Sequence, residues 1–143
     1  MNILTLHIKN SLPEIARSIE TFEAFAEDNA LSQRIVYDIS LCIDELVTNI
    51  VSYAFKDDKE HIIEIQFRVT EKEITLVFTD DGIEFDPVKK EDPIHLEHTV
   101  EERPIGGLGI YLVKKLMNSI KYKREDGKNI LTLTKFLENS NKR

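Results

Sequence analysis

An α+β fold is what this 143-residue sequence predicts: a two-layer α/β sandwich with helices on one face of a mostly antiparallel mixed sheet. Three observations carry that expectation. Segments with apolar residues at every second position are grouped apart from segments with apolar residues at helical spacing, in the order strand, two helices, two strands, loop, helix, two strands. The later strand segments come in pairs joined by short polar turns, the pattern of antiparallel hairpins. Hydrophobic residues make up 41% of the chain against 31% charged, a balance that supports one buried core without disulfide or metal staples.

The elements follow in order. Leu4, Leu6 and Ile8 alternate with Thr5 and His7 as a first strand. Ser11-Leu12-Pro13-Glu14 reads as a helix start, with Ser11 as cap, Glu14 reaching back as in a capping box, and Pro13 in the first turn. That helix continues through Ile15, Ile19, Phe22 and Phe25 to about Asn29. A longer one begins at Ser32, with a face at Ile35, Ile39, Cys42, Leu46 and Ile50. Ile63, Ile65, Phe67 and Val69 form a strand, Glu71-Lys72-Glu73 a turn, and Ile74, Leu76 and Phe78 its antiparallel partner. Residues 88–105 are rich in Glu, His and Pro without apolar periodicity, a loop long enough to be functional. A helix from about Leu108 to Asn118 precedes a final hairpin, Ile120–Lys123 and Ile130–Phe136, turning at Glu125-Asp126-Gly127-Lys128. Residues 1–137 read as one domain and 138–143 as a polar tail. Cys42, Met117 and Phe136 are expected in packing roles.

Composition narrows the function. A net charge of −7 argues against direct nucleic-acid binding, which needs a basic face. The most apolar long stretch, Ile35 to Phe55, is interrupted by Asp38, Asp44, Glu45 and Asn49, so no membrane span is expected. The first residues lack the pattern of a secretory signal, and the single cysteine cannot pair internally, so a cytoplasmic location is expected.

Three blocks could carry chemistry. Glu45 and Asn49, four apart, share a helix face beside its apolar seam. They read either as a satisfied helix edge or as a magnesium site completed by phosphate oxygens, with a carboxylate one turn away to orient or deprotonate a hydroxyl. Asp80-Asp81-Gly82 at a strand end is either an acidic turn or an acceptor for an exocyclic amine, with Gly82 letting a base approach the backbone. Gly106-Gly107-Leu108-Gly109 opens a helix and is either a hinge or a phosphate cradle at a helix N-terminus. His95 and His98, among Glu91, Asp92, Glu97 and Glu101, are a weaker transition-metal candidate.

Taken together and in this order, Glu45-x-x-x-Asn49, Asp80-x-Gly82-x-x-Phe85-Asp86-Pro87 and Gly107-x-Gly109 resemble the N box and the two glycine boxes of the Bergerat (GHKL, histidine-kinase-like) ATP-binding fold. The Phe85-Asp86-Pro87 ending and the run from Gly107 to Asn118 are most similar to the anti-sigma factor serine-protein kinases, and the resemblance covers nearly the whole chain. It implies ATP and Mg²⁺ as ligands and Glu45 as the catalytic carboxylate. It also implies Asn49 as the Mg²⁺ ligand and Asp80 as the adenine contact, with Gly82 and Phe85 beside it. Gly106, Gly107, Leu108 and Gly109 would lie at the phosphates, and residues 88–105 would form an ATP lid carrying Arg103 towards the γ-phosphate. Arg17 would belong to a partner-binding surface. The implied partners are an anti-sigma antagonist of the STAS type, whose serine is phosphorylated, and a sigma factor, with the kinase a homodimer. An ATP-dependent partner-switching module without kinase turnover is the alternative. Tyr53-Ala54-Phe55 departs from the His-Ala-Tyr often found at that place in the family.

Overall fold

The computed structural model describes residues 1–89 and 107–137. Its elements are β1 (Asn2–Lys9), α1 (Glu14–Asp28), α2 (Gln33–Tyr53), β2 (Ile62–Val69), β3 (Glu73–Asp80), a short 3-10 turn (Pro87–Lys89), α3 (Gly107–Leu116), β4 (Ser119–Glu125) and β5 (Lys128–Phe136). The five strands form one sheet in the order β1-β2-β3-β5-β4. All four pairings are antiparallel. The helices lie on one face, giving the expected α+β sandwich.

Strict alternation decides which face is covered. Ile63, Ile65, Phe67 and Val69 of β2 and Ile74, Leu76 and Phe78 of β3 are buried, as are Leu131 and Leu133 of β5. Against them α1 packs Phe22 and Phe25, whose ring centroids lie 5.4 and 5.9 Å from that of Phe67. Burying one such ring contributes roughly 1.5–3 kcal/mol. The 21-residue α2 adds Ile35, Ile39, Cys42, Ile43, Leu46 and Val47. The opposite sheet face keeps Ile3, Ile62 and Phe136 exposed. Phe136, expected to pack, stands 56% exposed opposite Glu73, because the inward positions of β5 are the odd-numbered ones. Met117 is buried as expected.

Helix entry follows the sequence at α2 and departs from it at α1. Ser32 has an extended backbone and its hydroxyl accepts from the Ile35 amide at 3.2 Å, a regular N-cap. At α1 the expected Ser11 capping box does not form. The cap residue is Pro13, already helical at φ −59°, and no side chain caps the helix. Leu12 and Pro13 make a tight turn instead, with the Ser11 carbonyl accepting from Glu14 N at 3.0 Å. That leaves Glu14 to pair with Arg17 at 2.7 Å, which holds its carboxyl below the usual range. Arg17 also donates to the His7 carbonyl at 2.6 Å, tying α1 to β1.

The β4–β5 hairpin turns through Asp126 and Gly127, both at positive φ (54° and 76°). This is the mirror-image two-residue turn that suits the strand twist, which explains the Asp-Gly pair. The turn sets the register of β4 on β5, with Arg124 opposite Asn129, and on the other side of β5 Asn129 pairs with Asp80 of β3. Near the far end of β5, Lys135 lies 3.6 Å from the buried Asp38 of α2 and donates to the Leu116 carbonyl at the end of α3. One side chain therefore pins both α2 and α3 to the sheet. Cys42 lies one turn along from Asp38, and burial pushes its thiol up to about 12, so it is a core residue rather than a nucleophile.

Candidate functional site

A cleft lies between the C-terminal half of α2, the ends of β3 and β5, and α3. Leu46, Phe78, Ile110 and Leu131 form its apolar lining, and Asn49, Asp80 and Asn129 bring polar atoms to it. A mostly apolar site with a few convergent polar groups is the usual form of a small-molecule pocket.

Asn49 is 4% exposed, and its Nδ2 has no hydrogen-bond partner among the described residues. A buried amide donor left unmade costs about 1–3 kcal/mol. The carboxamide can turn either its oxygen or its nitrogen into the cleft. One turn earlier, Glu45 is half-buried, with its carboxylate against Gly109 near the start of α3. A Cβ on Gly109 would stand 1.8 Å from Glu45 Oε2, so the glycine makes room for the carboxylate. Burial, with Asp44 next to it, pushes the Glu45 carboxyl above its ordinary range.

The opposite wall is held by a hydrogen-bond network. Asp80 is 5% exposed, and its Oδ1 accepts from the Gly82 amide at 2.8 Å and from Asn129 Nδ2 at 3.0 Å. Burial pushes the Asp80 carboxyl up, and these two donors oppose that rise. Asn129 Nδ2 also donates to the Ile83 carbonyl at 2.7 Å. Its Oδ1 accepts from Tyr122 OH at 2.5 Å, Arg124 Nη1 at 3.0 Å and Phe85 N at 3.3 Å. Arg124 donates in addition to the Gly82 carbonyl at 2.8 Å. Asn129, Tyr122 and Arg124 were not singled out in the sequence. The available signal was Asn129 standing at an inward position of the Asn129, Leu131, Leu133 alternation, where an apolar residue is expected.

The space at Gly82 is not open to a base. A Cβ there would lie 2.4 Å from the Ala54 carbonyl oxygen, and the Ile83 amide donates to that oxygen at 2.8 Å. The glycine lets the loop after β3 dock on the C-terminus of α2. Outside this junction His61 stacks on Phe55, with centroids 4.3 Å apart. Its Nε2 and Nδ1 lie 2.8 Å from Asp57 and 3.2 Å from Asp81, and the hydrogen bond to Asp57 holds the imidazole above its ordinary range.

Of the site residues expected from sequence, Asn49, Asp80 and Phe85 line the cleft, and Glu45 lies one turn before Asn49 with its carboxylate against Gly109. Gly107, Leu108 and Gly109 belong to the first turn of α3. Arg17 lies away from them, in the α1–β1 clamp. Arg103, Gly106, His95, His98 and residues 90–105 of the expected lid lie outside the described residues. Among the described residues no three His, Cys, Asp or Glu side chains group to hold a metal, and no helix is long and apolar enough to cross a membrane.

The sequence has relatives among known proteins. Residues 8–135 match the model of the histidine kinase-like ATPase domain. The serine/threonine-protein kinase BtrW of Bordetella bronchiseptica is 32% identical over 130 residues, 91% of each chain. The serine-protein kinase RsbW of Bacillus licheniformis is 32% identical over 120 residues, 82% of this chain and 74% of the relative. The Bacillus subtilis RsbW is 32% identical over 105 residues, 71% of this chain and 65% of the relative.

Proposed function

This chain belongs to the histidine kinase-like ATPase domain family, and from that premise we propose that it is an ATP-dependent protein-serine kinase acting in partner switching. Its protein substrate is a serine on an anti-sigma antagonist of the STAS type, and its second partner is a sigma factor that it sequesters. The observation that carries the reading is that Asn49, its Nδ2 without a partner among the described residues, and Asp80 line one cleft, with Glu45 one turn before Asn49 and its carboxylate against Gly109. Relatives named as serine-protein kinases over most of the chain support it.

Each residue has a part. Asp80 accepts the exocyclic amine of adenine. Asn49 fits a Mg²⁺ site, since this ion takes few protein oxygens and completes its shell with phosphate oxygens and water. Bound there, Mg²⁺ neutralises charge on the phosphates. Glu45 orients the substrate serine hydroxyl and receives its proton as the serine oxygen bonds to the γ-phosphorus. The bond from that phosphorus to the β–γ bridging oxygen breaks, and ADP leaves. A carboxyl raised towards neutrality is better matched to that role than an ordinary one. Positioning and electrostatics supply the rest. Phosphate on the antagonist adds charge that weakens its docking and frees the kinase for the sigma factor.

The test is direct. The protein is mixed with Mg-ATP and candidate antagonists, and phosphoserine is measured. Phosphoserine on one antagonist, lost with Glu45→Ala while ATP still binds, is the expected result. ATP binding without phosphoserine on any antagonist removes the kinase reading.

A further inference from the structure

We propose that Asn129 is a positioning residue for base selection: it holds Asp80 Oδ1 so that Oδ2 faces the exocyclic amine of an adenine. The inference rests on the reading of Asp80 given above and deepens it.

The two residues are register partners on the inner face of β3 and β5. Oδ1 of Asp80 already receives two donors, Asn129 Nδ2 at 3.0 Å and Gly82 N at 2.8 Å. No donor among the described residues reaches Oδ2, and the residue lines the cleft. The carboxylate is thus divided, one oxygen committed to the protein and one left for a ligand. The orientation of the Asn129 amide is fixed by its neighbours. Its NH₂ meets two acceptors, Asp80 Oδ1 and the Ile83 carbonyl, while its oxygen meets donors from Tyr122, Arg124 and Phe85. A flipped amide would set donors against donors and acceptors against acceptors. Asn129 also joins the β4–β5 hairpin to the loop after Asp80, so the carboxylate cannot turn without breaking contacts on both. A side chain that only filled space would need none of this directionality.

The consequence is selective. Removing the Asn129 N–H donors should weaken ligands that use the Asp80 carboxylate and spare those that do not. Asn129→Asp tests this with minimal change of shape: it keeps an acceptor for Tyr122, Arg124 and Phe85 and removes both donors. Binding is measured by calorimetry with Mg²⁺ for ATP and for purine riboside triphosphate, which lacks the 6-amino group. The unmodified protein should prefer ATP by about tenfold or more, the size of one hydrogen bond to a charged group. N129D should lose most of that preference while binding the analogue within about threefold of the unmodified protein. Its two facing carboxylates cannot both stay ionised cheaply, so a shared proton should restore part of the preference as pH falls towards 5. The unmodified protein should show no such recovery. Equal weakening of both nucleotides, or a retained preference for ATP in N129D, overturns the inference. An unmodified protein that does not distinguish the two nucleotides removes the reading of Asp80 itself, and this inference with it. If N129D does not melt cooperatively, Asn129→Ala, which carries no side-chain donor, makes the same comparison, with lost preference expected and no recovery at low pH.

Discussion

Two asparagines line one cleft and are almost equally buried, Asn49 at 4% and Asn129 at 6% exposed, yet their amides are treated in opposite ways. Asn129 is bonded on both sides of its carboxamide to β3, β4 and the loop that follows Asp80. Asn49 leaves Nδ2 without a partner among the described residues. Buried polar groups are normally satisfied, so an unsatisfied one on the helix that also carries Glu45 calls for an explanation. The base-side wall is fixed in place by the protein itself, with Asp80 Oδ1 committed and Oδ2 presented to the cleft. The α2 wall is left for a ligand to complete. Selection of a base needs a fixed donor–acceptor pattern before binding, whereas phosphate and metal bring their own oxygens and charge.

The largest separation between the two walls is expected in kinetics. Glu45→Gln should lower phosphoserine formation by about 10²–10⁴-fold while leaving ATP affinity within about twofold. Asp80→Asn should instead weaken ATP by about tenfold or more and leave turnover at saturating ATP much less affected. Parallel losses in rate and affinity for both variants would erase the division between the walls. The pH dependence follows from Glu45, whose folded carboxyl is raised by burial and then by Asp44. The ionised form is the base, so activity should rise with pH through a value above the ordinary carboxylate range. Stability runs the other way. A folded carboxyl raised above its unfolded value favours folding at low pH, and that contribution is lost as pH climbs through the raised value. Glu45→Gln should remove both dependences, visible in rate profiles and in melting temperature.

Next in size is one substitution made at both asparagines. Asn129→Leu strands Tyr122 OH, an Arg124 N–H and the Ile83 carbonyl. It should cost about 3 kcal/mol or more in urea unfolding without nucleotide. Asn49→Leu removes an unsatisfied donor and should change stability by less than about 1 kcal/mol, while abolishing the Mg²⁺ dependence of ATP binding. Similar unfolding costs at the two positions would mean that Asn49 is as structural as Asn129.

The glycines repeat the contrast more weakly. At Gly82 an added Cβ meets the Ala54 backbone carbonyl at 2.4 Å, which cannot move without shifting the end of α2, so Gly82→Ala should destabilise by about 1–3 kcal/mol. At Gly109 the added Cβ meets only the end of the Glu45 side chain, which can swing away. Alanine's helix propensity offsets the intrusion, so Gly109→Ala should keep stability within about 1 kcal/mol yet lower phosphotransfer by moving Glu45.

What could be read in advance divides along the same line. The order of elements, the Ser32 cap and the Asp126-Gly127 turn depend on residues a few positions apart, and their periodicity or turn chemistry is written locally. Glu45 and Asn49 stand out as polar residues beside an apolar seam, and Asp80 as an acidic residue in the turn that ends a strand. The network around Asn129 depends on register, pairing two residues 49 positions apart, which local pattern does not encode. Gly82 was singled out for the right property, a missing side chain, but the space it frees is filled by Ala54 rather than left for a base. At α1 the Pro13 backbone already lies in the helical region, so the Ser11 side chain is not needed as a cap.

The smallest effect should come from outside the base-side wall. His61 is held by Asp57 at 2.8 Å and Asp81 at 3.2 Å, and Phe55 stacks on its ring. Its imidazole is raised, first by the Asp57 hydrogen bond, while Asp57 is lowered by the same contact. A raised histidine contributes stability that is complete below its unfolded value, near 6.5, and fades as pH rises through the folded one. The melting temperature should therefore decline modestly as pH rises above His61's unfolded value, and His61→Gln should flatten that decline. ATP affinity should stay within about twofold over the same range, because Asp80 takes its hydrogen bonds from Gly82 and Asn129 and none from His61. An affinity that fell in step with His61 deprotonation would show that the wall is finished from outside as well as from within, and that Asp81 belongs to it.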